Sequence, residues 1–227
     1  GAAYLSCCEG QFPAGRLAQL ARHFGQRHNL SENELLDKVQ IEECHNSDEA
    51  LESILHRIPT LCANTGTRIL ILDSLAGMLR VEYNGMSSEE MRLRTHKLFL
   101  LAEKLKWISD TYHLCVVVVN QVSHSDPELT GQRSVTPALG LAWGNCVNTR
   151  IMLQKTNLIT REISGVRAGG TDGSRQPAPD SAGGQEAGAS FIESRGRPLK
   201  SLTLKFSPRA PRASCLYEIR EDGVFGV

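Results

Sequence analysis

The chain has 227 residues, enough to bury a sizeable core as one domain. Its 25 basic and 25 acidic residues cancel, which excludes a global basic field, so any contact with nucleic acid must come from local patches. Seven cysteines, an odd number with no CxxC pair, argue against a disulfide framework or a zinc site, and no apolar run approaches the roughly 20 residues of a membrane span.

The predicted elements follow in chain order. Ala2 to Cys8 is small and apolar and reads as a strand; without a basic flank it does not read as a signal peptide. Gly15 to His28 is basic, with Leu17, Leu20, Ala21 and Phe24 at helical spacing. Lys38 to Ile41 reads as a short strand. Ser47 and Asp48 suit the start of a helix to about Cys62, with Ala50, Leu51, Ile54, Leu55 and Ile58 on one face. Asn64-Thr65-Gly66 signals a turn. Ile69 to Leu72 are four large apolar residues before Asp73, the pattern of a strand buried on both faces of a parallel sheet. Ser87 with Glu90 three residues on predicts a capped helix to about Tyr112, its stripe being Leu93, Leu98, Leu101, Leu105 and Ile108. Val116 to Val119 form the centre of another buried strand, Leu114 to Asn120. This alternation of strands and helices predicts an α/β fold with a mainly parallel sheet.

The last third differs. Ala138 to Asn145 reads as a short helix and Val147 to Leu153 as a strand. Residues 165–188 are rich in Gly, Ala, Ser, Asp and Pro with almost no large apolar residue, so a disordered insert is expected there. Leu199 to Phe206 and Cys215 to Ile219 read as two closing strands, followed by an Asp222-Gly223 turn.

Three features could carry chemistry. Asp73, followed by Ser74, ends a buried parallel strand, where α/β sheets bind ligands; such an Asp can hold the water shell of Mg²⁺ and the hydroxyl can join it. The same pair equally suits a helix cap. Asn120-Gln121 ends another buried strand and could contact a γ-phosphate or a catalytic water; the alternative is a plain strand-to-loop transition. Glu9 follows the first strand and could act as a general base, or be a solvated loop residue. All three lie at carboxyl ends of strands, where they can converge on one site. Trp107 and Trp143 read as core or interface residues rather than platforms for base stacking.

This set resembles the RecA/RadA recombinases and their eukaryotic paralogues. The matching segments are Tyr4-Leu-Ser-Cys-Cys-Glu9 with Phe12-Pro13, Arg68 to Ser74, Val119-Asn120-Gln121-Val122, Thr136 to Asn145 with its Pro-Ala-Leu-Gly-x-x-Trp run, Arg150, Phe206-Ser-Pro208, and Tyr217 to Val224. They cover most of the chain outside the expected insert. The resemblance implies a partial RecA-like P-loop ATPase core over residues 1–227, missing the P-loop strand. It implies a catalytic glutamate at Glu9, with Cys8 where the family usually has Thr, and a Walker B aspartate at Asp73. Gln121 would be the γ-phosphate sensor. The first DNA loop would span roughly residues 80–88, including Arg80, and the second roughly 123–135, including Ser123, His124 and Arg133. Pro208, Arg209 and Pro211 would form a cap over a neighbouring subunit's nucleotide.

One departure dominates. No GxxxxGK[ST] phosphate-binding loop occurs in the 227 residues, although the family carries it upstream of the strand that begins here. ATP and Mg²⁺ are therefore expected only where that upstream element is present. The strand belonging to it is central in such sheets, so its absence should weaken the fold. The resemblance implies a DNA-dependent ATPase in the full-length family member, with this chain alone inactive. It implies homologous-recombination repair in the nucleus, or also the cytoplasm, on single-stranded or branched DNA with related paralogue subunits, and no membrane. The alternatives are an active strand-exchange recombinase and a nucleotide-independent scaffold. The short segment Ser123 to Val135, without an aromatic residue, suits a mediator better than a catalyst of strand exchange. Arg92, Arg94 and Lys97, among Glu89, Glu90 and Glu103, read as a solvated helical face with local ion pairs. Lys200, Lys205, Arg209 and Arg212 form a more one-sided basic cluster.

Overall fold

A computed structural model of the chain describes residues 1–7, 11–77, 87–124, 135–160 and 196–227. Within it the chain forms two compact units. The expected insert at 165–188 lies outside the described residues.

The first unit comprises Gly1–Arg150 with Glu221–Gly223. Its centre is a sheet of β1 (Ala2–Cys7), β2 (Val39–Glu43), β3 (Thr67–Asp73) and β4 (Cys115–Val118), in the order β2-β1-β3-β4. All three pairings are parallel, as the alternating pattern predicts. Tyr4 pairs with Leu70, and Leu70 with Val116. Alternation along each strand therefore places Tyr4, Leu70, Leu72, Val116 and Val118 on one face. Helices cover that face: α3 (Ser47–Glu52) and α4 (Ile58–Thr65), joined by a π-helical turn at Ser53–Arg57, and the long α5 (Ser88–Tyr112). Ile54, Ile58, Leu98, Leu101, Leu105 and Ile108 from these helices share one core with Leu70 and Leu72.

Local chemistry accounts for the helix ends. Asn46, one residue before the expected cap, accepts the Glu49 N–H at 2.8 Å. Pro59 has no N–H to return to the preceding turn, and the helix widens into its π turn just before it. Gly66 ends α4 at φ 61°, the left-handed conformation that glycine adopts freely. At the head of α5, Ser87 and Glu90 form the expected capping box: Ser87 Oγ accepts the Glu90 N–H at 3.3 Å, and the Glu90 carboxylate accepts the Ser87 N–H at 2.6 Å.

Two helices precede the core helices: α1 (Ala14–His28), in the expected place, and α2 (Glu32–Leu36), which the spacing of apolar residues did not reveal. After β4 come β5 (Val122–His124) and β6 (Val135–Pro137), an antiparallel pair, and α6 (Gly140–Gly144), which buries Trp143.

Several expectations are corrected. Leu70 and Leu72 are 0% and 1% exposed, but Ile69 and Ile71 on the opposite face are only half-buried. Val117 and Val119 are each 38% exposed, because β4 is an edge strand of this four-stranded sheet. Leu93 is exposed in the first turns of α5 and leaves the buried stripe to Leu98, Leu101, Ala102, Leu105 and Ile108. Trp107, read as core or interface, is 45% exposed and lies outside the core, with Lys104 Nζ 3.7 Å from its ring centre and Tyr112 edge-on at 5.9 Å.

The second unit comprises Ile151–Arg220 with Val224–Val227. Here β7 (Arg150–Ile159), β8 (Pro198–Phe206), β9 (Ser214–Arg220) and β10 (Gly223–Gly226) lie in the order β10-β9-β8-β7. The β8–β9 pair is antiparallel, with Leu202 opposite Cys215. The β7 strand starts three residues later and runs six residues further than the apolar pattern suggests, and β10 lies just past the expected turn. Glu218 is buried on β9. Its carboxylate is bonded by Arg220, at 2.6 Å from Nε, and faces Arg197 at 3.9 Å, while Arg220 lies over the Phe225 ring.

Candidate functional site

The candidate site residues lie at the carboxyl ends of the parallel strands. Asp73 is the last residue of β3, pairs in register with Cys7 of β1, and is exposed. Ser74 is buried, and its Oγ accepts the Gly77 N–H at 3.4 Å, the capping geometry. On the adjacent strand the Val119 N–H donates to the Leu72 carbonyl at 2.9 Å, which carries the β3–β4 ladder one residue beyond β4. Asn120 and Gln121 come next, so they leave the sheet at the same edge as Asp73. Gln121 is half-buried, and its carbonyl accepts the Ala138 N–H at 2.9 Å. Asn120 Oδ1 is buried without a hydrogen-bond partner. A buried polar atom in that condition is costly unless something else completes it.

The structure thus brings Asp73, Ser74, Asn120 and Gln121 to the ends of two neighbouring strands. Glu9 and Cys8 follow β1, the other neighbour of β3, but lie outside the described residues, as do Arg80 and Arg133. Ser123 and His124 sit in β5, directly after Gln121. Pro208, Arg209 and Pro211 are exposed in the connection between β8 and β9, within the second unit. There the Arg209 N–H donates to Ser207 Oγ at 3.2 Å.

Sequence reasoning missed Glu43. It ends β2, pairs in register with Cys7 as Asp73 does from the other side, and its carboxylate accepts the Phe12 N–H at 3.4 Å. Glu43 thereby ties the end of β2 to Phe12. A carboxylate at the end of a third parallel strand was the available signal. Arg94 and Lys97 also depart from the solvated-face reading. Arg94 donates to the Ala138 carbonyl at 3.3 Å, and Lys97 pairs with Asp48 at 2.8 Å, so both make long-range ties.

The clear shifts in protonation lie in the scaffold. The Ser87 N–H and hydroxyl hold the Glu90 carboxyl below its ordinary value. The His45 N–H, then Asn46, does the same for Glu49 against some desolvation. Burial pushes the Cys62 thiol up, partly offset by Thr67.

Among the described residues no cluster of three or more His, Cys, Asp or Glu could hold a metal directly. A cation bound with phosphate needs less protein, because the phosphates and water supply most of its ligands. One exposed carboxylate at Asp73, with the uncompleted Asn120 oxygen on the next strand, fits that arrangement.

The matched family model is Rad51, over residues 1–166. The chain belongs to the Rad51 family. Its parallel sheet with flanking helices is accordingly a RecA-like α/β core. It is 28% identical over 96% of its length to a DNA repair protein XRCC3 homolog of Arabidopsis thaliana, covering 73% of that protein. It is 27% identical over its full length to DNA repair protein XRCC3 of Bos taurus, covering 59% of it. It is 30% identical over 67% of its length to the DNA repair protein Rad51 homolog of Drosophila melanogaster, covering 44%. The chain therefore spans about 60% of the length of the mammalian XRCC3 proteins that it matches.

Proposed function

We propose that this chain is the greater part of the ATPase core of a Rad51-family paralogue, acting in DNA repair by homologous recombination as one subunit of a hetero-oligomer. The observation that carries the reading is the meeting of Asp73 and Asn120–Gln121 at the carboxyl ends of adjacent parallel strands, in a chain of this family. Rad51-family proteins bind ATP with Mg²⁺, and the bound cation would neutralise phosphate charge. Asp73 would hold such a cation through its water shell, with Ser74 fixing the turn behind it. Gln121 would contact the γ-phosphate, and Glu9 would serve as general base toward water. The phosphate cradle would be supplied by a GxxxxGK[ST] segment upstream of these residues, where one is present. DNA would be held through residues 80–88 and 123–135, with Arg80, Ser123, His124 and Arg133, mainly by charge and with little sequence preference. The reading places this work in the nucleus, or also in the cytoplasm.

A labelled ATP analogue titrated into the 227-residue chain and into the upstream-extended protein tests the reading. The short chain is expected to bind weakly or not at all, because it lacks the backbone donors and the Lys of the loop. Submicromolar binding by the short chain would refute the reading. For the subunit contact, exposed Pro208, Arg209, Pro211 and Arg212 form a stiff basic connection suited to a neighbour's nucleotide. Arg209→Ala with Arg212→Ala should weaken complex formation with a related paralogue or ATP-dependent DNA binding. Wild-type behaviour in both assays would leave the connection as a simple hairpin tip.

A further inference from the structure

We propose that Arg94 is a positioning residue for Gln121, coupling the nucleotide end of β4 to the α5 helix. The inference rests on the reading of Gln121 as the γ-phosphate contact. Arg94 lies half-buried in the second turn of α5, and its guanidinium donates to a main-chain carbonyl 44 residues away, that of Ala138, at 3.3 Å. The N–H of the same Ala138 donates to the Gln121 carbonyl at 2.9 Å. Ala138 thus bridges Arg94 and Gln121 with both of its backbone polar groups.

The bridge occupies a defined place. Val122 pairs with Pro137 in the antiparallel β5–β6 ladder, so the Gln121–Ala138 contact closes the base of that ladder. The next residue, Leu139, is fully buried in the core that also holds Leu98 and Leu101 of α5, which gives the clamp a rigid floor. On the other side, α5 begins at the end of the first candidate DNA segment, at the Ser87 capping box. Residues 123–135, the second candidate segment, are bracketed by β5 and β6. One charged donor therefore ties the helix that follows one segment to the base of the ladder that brackets the other. A displacement of Gln121 on contact with nucleotide is passed to α5 through two hydrogen bonds, one of them charge-assisted.

The test uses the upstream-extended protein with Arg94→Met, which keeps the aliphatic stem and removes the donors, and Arg94→Lys, which keeps a charged donor group. Two quantities are read: exchange of the Ala138 amide by NMR, and the affinity for single-stranded DNA with and without ATP over a salt series. Arg94→Met should speed Ala138 exchange roughly tenfold or more. It should reduce the ATP-induced gain in DNA affinity by about fivefold or more. The salt slope should stay unchanged, and Arg94→Lys should remain near wild type in every reading. If Arg94→Met does not fold, Arg94→Gln, whose amide is too short to reach Ala138, takes its place. Unchanged Ala138 exchange overturns the clamp. A salt slope shallower by about 0.7 with the ATP effect intact also overturns it, because Arg94 would then be contacting phosphate. If wild-type protein shows no ATP effect on DNA affinity, the functional reading fails, and amide exchange alone decides the clamp.

Discussion

β3 and β4 are neighbours with almost the same sequence pattern and different fates. Ile69 to Leu72 and Val116 to Val119 are each four consecutive large apolar residues. In β3, Leu70 and Leu72 are completely buried, between β1 and β4 and under the helices. In β4, Val116 and Val118 rest against the same core while Val117, and Val119 just past the strand, stay exposed. The difference teaches that an apolar run specifies a strand suited to burial on both faces, whereas its neighbours decide how much of that burial is realised. An apolar edge strand is also an aggregation liability, which a further strand alongside would remove.

The largest test compares core positions on these two strands. Leu70→Ala or Leu72→Ala should cost about 2–5 kcal/mol, measured by urea denaturation, whereas Val117→Ala should cost about 0.5 kcal/mol or less. If a longer form of the protein covers β4, the Val117→Ala cost should rise above about 1 kcal/mol there, which sharpens the comparison. Equal costs at Leu70 and Val117 in the 227-residue chain would break it.

The opposite edge is held by polar contacts. On β2, Glu42 pairs with Arg57 at 2.6 Å and accepts a hydrogen bond from buried Ser53, joining the strand to the π turn. Arg57 is more than half exposed, so solvent screens that pair, and most of the loss in Glu42→Ala comes from stranding Ser53. About 1–2 kcal/mol is expected from thermal or urea melts.

At the carboxyl ends of the strands the effect should fall on ligand rather than on stability. In the upstream-extended protein Asp73→Ala should weaken Mg²⁺-dependent nucleotide binding about tenfold or more, as loss of an outer-shell metal partner does. Melting should hardly change, because the side chain is exposed. Glu9→Gln should lower turnover more than binding, which single-turnover kinetics can separate.

The smallest expected effect is a pH dependence at the caps of α3 and α5. Glu49 and Glu90 have folded-state pKa values lowered from 4.5 by backbone N–H groups. Each stabilises the fold above the unfolded value, and that stability is lost as pH falls from about 4.5 through the folded value. Glu90→Gln and Glu49→Gln should flatten the acid limb of a stability-versus-pH curve.

Much of the fold was legible because its signals are local. Apolar runs at Ile69 and Val116, helical spacing at Ala50 to Ile58, and the Ser87/Glu90 cap need only neighbours in sequence to be read. The short α2 was not legible, since five residues hold too little of a period, and β10 lies beyond a turn that looked terminal. For the candidate site, Asp73 and Gln121 were singled out from their positions after apolar runs, and the structure places them at the ends of neighbouring strands. Glu43 was not, because β2 has mixed polarity and a carboxylate at its end looks like any surface residue.

By itself the sequence determined the strand and helix types, the parallel sense of the main sheet, and the resemblance carried by Asp73, Gln121 and the Pro-Ala-Leu-Gly-x-x-Trp run. These follow from periodicity and residue chemistry over a few positions, where side-chain spacing is dictated by the backbone repeat. Tertiary structure alone decided the order β2-β1-β3-β4, which side of β4 stays open, and which partners Arg94, Lys97 and Glu42 take. A hydrogen bond from Arg94 to a carbonyl 44 residues away leaves no trace in spacing, because a flexible charged side chain commits to a partner only when folding brings one within reach.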